Sequence, residues 1–392
     1  MSDEKTQATA SRLASLDAYR GFIMFLMASA GFGISGVAEK LPDSLWATIA
    51  PQVDHVPWVG CVLWDLIQPA FMFMVGVAAA YSTANRLKHG NSLRHVLLHA
   101  ALRAVALILL GVLLASNSRT EKQTVWVFTN VLAQIGLGYF FLVLLSRTIA
   151  AVQGTAIAAI LIGYWLLFAL WTPTTLPPGA DTSWIKPTEL LSGFFARWNP
   201  HTNAAAAFDM WFLNLFPRNE TYVLTRGGYQ TLNFIPSLAT MLMGLMTGEL
   251  LRRDTRPEAK LRTLLVAGIG CLLAGWLAGQ TVCPLVKRIW TPSWTLFSGG
   301  WVLLMLAAFY AVIDVKGWRT WSLPFTVIGM NSIFVYLGFQ LSSGWIRDTA
   351  ARHLGPEFYS GDYATMAQRT TVLVVLWLLA WWLYRQKVFL RL

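Results

Sequence analysis

Residues 97–116 read LLHAALRAVALILLGVLLAS, an apolar run interrupted only by His99 and Arg103 before its closing serine. A helix needs about 20 such residues to cross the hydrocarbon of a bilayer, and this run has that length. Windows of the same character recur at 18–37, 60–82, 127–146, 153–171, 233–251, 262–280, 293–313, 323–341 and 368–384. Composition agrees: 56% of the 392 residues are hydrophobic and 12% charged, with 19 tryptophans, where a soluble domain carries about 25% charged residues. The fold expected is an all-α polytopic membrane protein. It is a bundle of about ten transmembrane helices with short interfacial helices in the outer loops.

Lys and Arg are retained on the cytoplasmic side of a membrane. With the N-terminus inside, the cytoplasmic segments carry the denser basic charge, including Arg86, Lys88, Arg252, Arg253 and Lys316. An even number of spans then places both termini inside. The first twelve residues are polar and no small-residue cleavage site follows the first apolar run, so no signal peptide is expected. The organisation expected is a cytoplasmic tail over 1–16, a single membrane domain over 17–385 with a long outer segment at 172–232, and a tail over 386–392. Within that outer segment FFARW and FDMWFLNLF are aromatic-rich and read as helices lying against the bilayer.

The net charge of +11 follows from orientation rather than from a nucleic-acid partner. Cys61, Cys271 and Cys283 have no CxxC spacing and form no framework. The histidines lack metal-ligand spacing, so no metal is expected. No Gly-rich phosphate loop precedes a helix in a βαβ context, which excludes a soluble nucleotide-binding domain.

A few polar residues stand out against this background. His55 lies in DHVPWVG at the outer edge of the second span, beside Asp54 and near Trp58; an imidazole there can take a proton from an attacking amine or hydroxyl. The plainer alternative is an interfacial histidine that caps a helix. Asp65, in WDLIQPAFMFMVG, is a carboxylate within an apolar span and must be paired or face water. It either orients a catalytic group or forms a structural pair with an Arg of a neighbouring span. Arg103 can hold a phosphate, pair with Asp65, or snorkel to the interface. Asn331 in GMNS is a polar group within the ninth window.

Several segments, taken in order, resemble the heparan-alpha-glucosaminide N-acetyltransferase family and its bacterial relatives, within the wider group of transmembrane acyltransferases. They are RLASLDAYRGFIMFLM (12–27), DHVPWVGCVLWDLIQPAFMFMVG (54–76), VLAQIGLGYFF, FIPSLATMLMGLMTGELL, PLVKRIWTPSWTLFSGG, IDVKGW with GMNSIFVY, and YRQKVF. The resemblance runs from Arg12 almost to the end of the chain. It implies that His55, in the family's H-x-x-W-x-G motif, is the active-site residue, and that acetyl-CoA is the donor, drawn from the cytosol. The chain departs from the eukaryotic members in having Gly31 where they have Asn, and GGYQ (227–230) where they have an acidic motif. No counterpart of the large lumenal domain that precedes their bundle is expected, and heparan itself is not the expected acceptor.

The expected function is therefore transfer of an acetyl group from cytosolic acetyl-CoA to an extracytoplasmic acceptor, an amino sugar, by a multi-pass protein of the inner membrane. His55 is the expected base, with Asp54 and Asp65 supporting it. Trp58 and Asn331 are expected at the acceptor, and Arg20, Arg86, Arg103 and Lys316 at the CoA phosphates. Expected partners are membrane lipids, a small-molecule or glycan acceptor and, as an open option, a second copy in a homodimer. The rival is an amino-sugar or oligosaccharide transporter whose path Asp65, Arg103 and Asn331 would line.

Overall fold

The computed structural model describes residues 13–90, 92–117, 123–175, 190–224 and 227–390. The tail through Arg12, residues 176–189 of the long outer segment, and the cations Arg119, Lys122, Lys186 and Arg226 lie outside the described residues. Among the described residues the fourteen α-helices are α1 Ala14–Ser29, α2 Ile34–Lys40, α3 Leu45–Ile49, α4 Ile67–Lys88, α5 Leu93–Asn117, α6 Val131–Leu145 and α7 Ala150–Ala169, followed by α8 Ala204–Phe212, α9 Phe234–Arg252, α10 Pro257–Thr281, α11 Pro292–Tyr310, α12 Leu323–Met330, α13 Ser332–Leu354 and α14 Ala364–Arg385. Among the described residues the β pairing is one isolated antiparallel bridge, Val59 to Val286.

By length and composition, eight helical segments among the described residues are able to cross a membrane, and the pair α12–α13, bent by 67°, makes a ninth if it counts as one span. The chain is an all-helical, multi-pass membrane protein. Every apolar window in the sequence is helical, yet three differ from the uninterrupted spans expected. Window 127–146 becomes α6, which has 15 residues and rises only about 22 Å. Its start is fixed at Asn130, whose side chain accepts a hydrogen bond from Ala133 N at 3.0 Å, and residues 124–129 before it have no regular secondary structure. Window 18–37 is broken at Ala30–Gly33, where all four residues have positive φ. Window 323–341 is broken at Asn331.

The exposed surface of α5 carries Leu98, Leu102, Val105, Leu109 and Leu113, spaced by three or four residues along one stripe. α10 does the same with Val266, Ile269, Leu273 and Trp276. Such stripes would be unfavourable in water and match the hydrocarbon of a bilayer. Inside, helices cross where side chains are small. A Cβ on Gly76 of α4 would overlap the Met241 carbonyl of α9, and one on Gly244 of α9 would overlap the Phe73 carbonyl of α4. That reciprocal contact lets the two backbones touch, as small residues do between membrane helices.

A separate aromatic cluster closes one end of the bundle. Trp58, Tyr164, Phe168 and Trp198 are buried there with Cys283, Val286 and Ile289. Phe168 and Trp198 stack with centroids 6.2 Å apart. Of the two aromatic pieces expected against the bilayer, FFARW places Trp198 fully inside the protein, whereas FDMWFLNLF leaves Trp211 and Leu215 exposed.

Candidate active site

The segment from Ala50 to Leu66 threads across this end of the bundle before α4 begins. Val59 pairs with Val286, and Gly60 N donates to Leu285 O at 2.9 Å. The bridge sets the loop that carries His55 beside the α10–α11 connection. That connection is rigid: Val286 N donates to Thr291 Oγ1, Thr291 Oγ1 donates to Pro284 O, and Thr291 N returns to Val286 O. Trp290 within it has φ +48, a strained value for a bulky residue that only a well-determined surrounding holds in place.

Three charged or titratable side chains meet where the two segments cross. His55 Nδ1 lies 2.7 Å from Asp65 Oδ1, Lys287 Nζ lies 3.2 Å from the same oxygen, and Nζ is 3.1 Å from Nδ1. Asp65 and Lys287 are buried, with side chains 1% and 4% exposed, while the His55 side chain is 36% exposed. Asp65 sits in the turn that opens α4, where a helix N-terminus favours negative charge, and its other oxygen accepts from Val62 N at 3.3 Å.

Hydrogen-bond chemistry assigns the tautomer. A carboxylate only accepts, so the shorter contact, with Asp65, puts the proton on Nδ1; Lys287 then donates to Asp65 Oδ1, and its 3.1 Å approach to Nδ1 is a close contact between two donors. The lone pair of His55 is then on Nε2, and the side chain as a whole is 36% exposed. A buried carboxylate that fixes an imidazole in this way produces a positioned base.

Burial pulls the Lys287 ammonium down to about 8, against the opposing pull of Asp65 and with a smaller push from Arg288. Burial raises the Cys61 thiol to about 12, helped by Asp65, and the Tyr229 phenol to about 12 despite Arg288. Both therefore stay protonated at neutral pH. The Tyr229 ring lies 6.0 Å from Lys287 Nζ and 5.5 Å from the Arg288 guanidinium. Arg288 ties the site together by donating to Gly227 O at 2.7 Å and Val56 O at 3.3 Å.

The residues singled out in the sequence divide into those that meet and those that do not. His55 and Asp65 meet, and Asp65 pairs with Lys287 rather than with an Arg of a neighbouring span or with Arg103. Asp54 touches the main chain of His55, accepting from its N at 2.7 Å. Trp58 is 2% exposed and its indole donates to Trp198 O at 3.0 Å, so it supports the loop from behind. Trp64 is the aromatic beside the imidazole, with ring centroids 6.5 Å apart. Asn331 donates to Val388 O and accepts from Leu390 N, which engages its amide with the end of the chain. Gly31 has φ +62, and a Cβ there would lie 3.0 Å from the Val53 carbonyl. The position thus packs against Val53, two residues before His55 in sequence, and its backbone disfavours a larger side chain.

Arg20 and Arg103 line one cavity of about 310 Å³, bounded by Met24, Phe71, Met74, Val75 and residues flanking the α12–α13 break. Arg103 donates to the Tyr139 hydroxyl at 2.8 Å, and its Nε is buried without a hydrogen-bond partner. Phe71, Met74, Val75 and Ala78 form one stripe of α4, starting six residues, about 9 Å of helix rise, beyond Asp65. Arg86 and Lys316 are elsewhere: Arg86 contacts His99 at 3.0 Å, and Lys316 lies exposed over Trp318. Among the described residues no cluster of three His, Cys, Asp or Glu is placed to hold a metal.

Lys287, Arg288 and Tyr229 escaped the sequence reading. Two adjacent cations in the apolar stretch PLVKRIW, on the side expected to be poor in positive charge, were the available signal.

Fold and site together define a polytopic helical membrane protein with an imidazole held by a buried carboxylate and ammonium. No family model matches the chain. It is 24% identical over 434 aligned residues to heparan-alpha-glucosaminide N-acetyltransferase of Homo sapiens, covering 98% of this chain and 60% of the human protein. It is 24% identical over 377 residues to the protein of the same name from Mus musculus, covering 86% of this chain and 55% of the mouse protein. The chain is thus a relative of the heparan-alpha-glucosaminide N-acetyltransferases, and spans less than two thirds of the length of either.

Proposed function

We propose that the protein is a membrane-bound acyltransferase that moves an acetyl group from acetyl-CoA to the amine of an extracytoplasmic amino sugar. The observation that carries this reading is the 2.7 Å contact of His55 Nδ1 with Asp65, which leaves Nε2 open as a base. The amine nitrogen attacks the thioester carbon, Nε2 takes the proton, and the carbon–sulfur bond breaks to release CoA. The names of the two relatives support the same reaction class.

The cavity suits the donor. An apolar lining fits the uncharged pantetheine arm, and Arg20 and Arg103 fit anionic or carbonyl oxygens. The partnerless Arg103 Nε is a donor that a bound oxygen would satisfy. Arg86, in contact with His99, and the exposed Lys316 do not line that cavity. With the N-terminus cytoplasmic, Arg20 lies toward the inner face and His55 toward the outer face, so the donor would reach across the bundle of a cell inner-membrane protein.

One observation favours the second reading, a sugar transporter. The bent α12–α13 segment lines the cavity, and broken helices line the paths of transporters. Purified protein given acetyl-CoA and glucosamine separates the two. Acceptor-dependent release of free CoA supports the transferase, while uptake of intact sugar into proteoliposomes without CoA release supports the transporter.

A further inference from the structure

Lys287 lies on the connection between α10 and α11, 222 positions from Asp65 in sequence, yet it shares Asp65 Oδ1 with the imidazole of His55. Its side chain is almost wholly enclosed, so its charge is poorly screened by water. A structural ion pair with Asp65 alone would not need the ammonium within 3.1 Å of Nδ1. We propose that Lys287 is a positioning residue for the transfer: its ammonium shares Asp65 Oδ1 with the imidazole and opposes a second proton on His55, keeping Nε2 free to accept one from the acceptor.

The electrostatics follow from charge counting. With Lys287 charged, neutral His55 gives a cluster of no net charge, and a protonated ring adds an unbalanced positive charge in a buried setting. Without Lys287, a protonated ring becomes the natural counter-ion of Asp65. The other groups around the cluster hold their charge through the neutral range: Arg288 stays cationic, Cys61 and Tyr229 stay neutral, and Asp54 engages the His55 main chain. Lys287, drawn down to about 8, is the neighbour whose charge changes in mild alkali.

The role rests on His55 being the base, and its test reads the ring directly. Diethyl pyrocarbonate modifies neutral imidazole, and mass spectrometry of the His55 peptide separates it from the other histidines. In Lys287→Met the pH of half-maximal modification is expected to rise by about one unit or more, and Lys287→Arg, which keeps the charge, is expected to restore it. Lys287→Gln keeps a donor to Asp65 without the charge, should follow Lys287→Met, and covers the case in which the methionine variant does not fold. The acid limb of the acetyl-transfer profile should move with the modification curve. A modification curve unchanged in Lys287→Met or Lys287→Gln overturns the role, whatever the loss of rate. A wild-type protein that releases no CoA strikes at the transferase reading instead and leaves the modification curves to judge Lys287.

Discussion

His55 Nδ1 and Asp65 Oδ1 are 2.7 Å apart, one at the half-exposed mouth of the site and the other fully buried in the turn that opens α4. The carboxylate both orients the ring and fixes its proton. Asp65→Asn keeps the shape but offers an amide that donates as readily as it accepts, so Nδ1 is no longer held in one tautomer. The acetyl-transfer kcat is expected to fall about a hundredfold or more, with the KM for the donor within about threefold of wild type. A kcat within a few-fold of wild type would show that the ring is oriented by something else.

Arg103 provides a different signature. On the proposed reading it holds the donor in the cavity, which would lower KM without entering the chemistry. Arg103→Met should raise the acetyl-CoA KM about tenfold, as expected for loss of a charged hydrogen bond, and leave kcat nearly unchanged. Steady-state kinetics with the acceptor saturating make the comparison, and an unaltered KM would remove Arg103 from the donor site.

The α4–α9 crossing predicts a stability effect without a matching effect on chemistry. Gly244→Val places two methyl groups against the Phe73 carbonyl, and overpacking of this kind costs about 1–3 kcal/mol. Thermal unfolding in detergent should show a clear fall in Tm, whereas Gly154→Ala, where no atom lies within 4 Å of an added Cβ, should not.

Asp209 on α8 gives a pH dependence. Burial raises its carboxyl from the ordinary 3.8 to about 7, although Thr231 N donates to it. Between those values the folded protein holds a proton that the unfolded chain has lost, so this group's contribution to stability falls as pH rises from about 4 to about 7. Asp209→Asn keeps the acceptor for Thr231 and removes the titration. Its Tm should vary less with pH across that range than the wild-type Tm, and parallel curves would contradict the assignment.

Much of the fold was legible because a bilayer imposes a length and an apolarity on each window, and every window is helical. Continuity was not legible. Hydropathy is blind to φ, so it registers neither the left-handed turn at Ala30–Gly33 nor the break at Asn331. His55 and Asp65 were visible because they are polar residues close together in one segment. Their pairing with Lys287 was not, since it depends on the Val59–Val286 bridge between distant segments. A cation in an outer loop looks like any other until its burial is seen. Trp58 and Trp64 show the limit of proximity: the tryptophan nearer to His55 in sequence is buried behind the loop, and the farther one lies beside the ring.

The most direct measurement of the central claim is acceptor-dependent CoA release by purified His55→Ala beside wild type, with acetyl-CoA as donor and glucosamine as acceptor. The account predicts release by wild type and its loss in His55→Ala, with the Tm of the variant close to that of wild type. Full release by His55→Ala would contradict it.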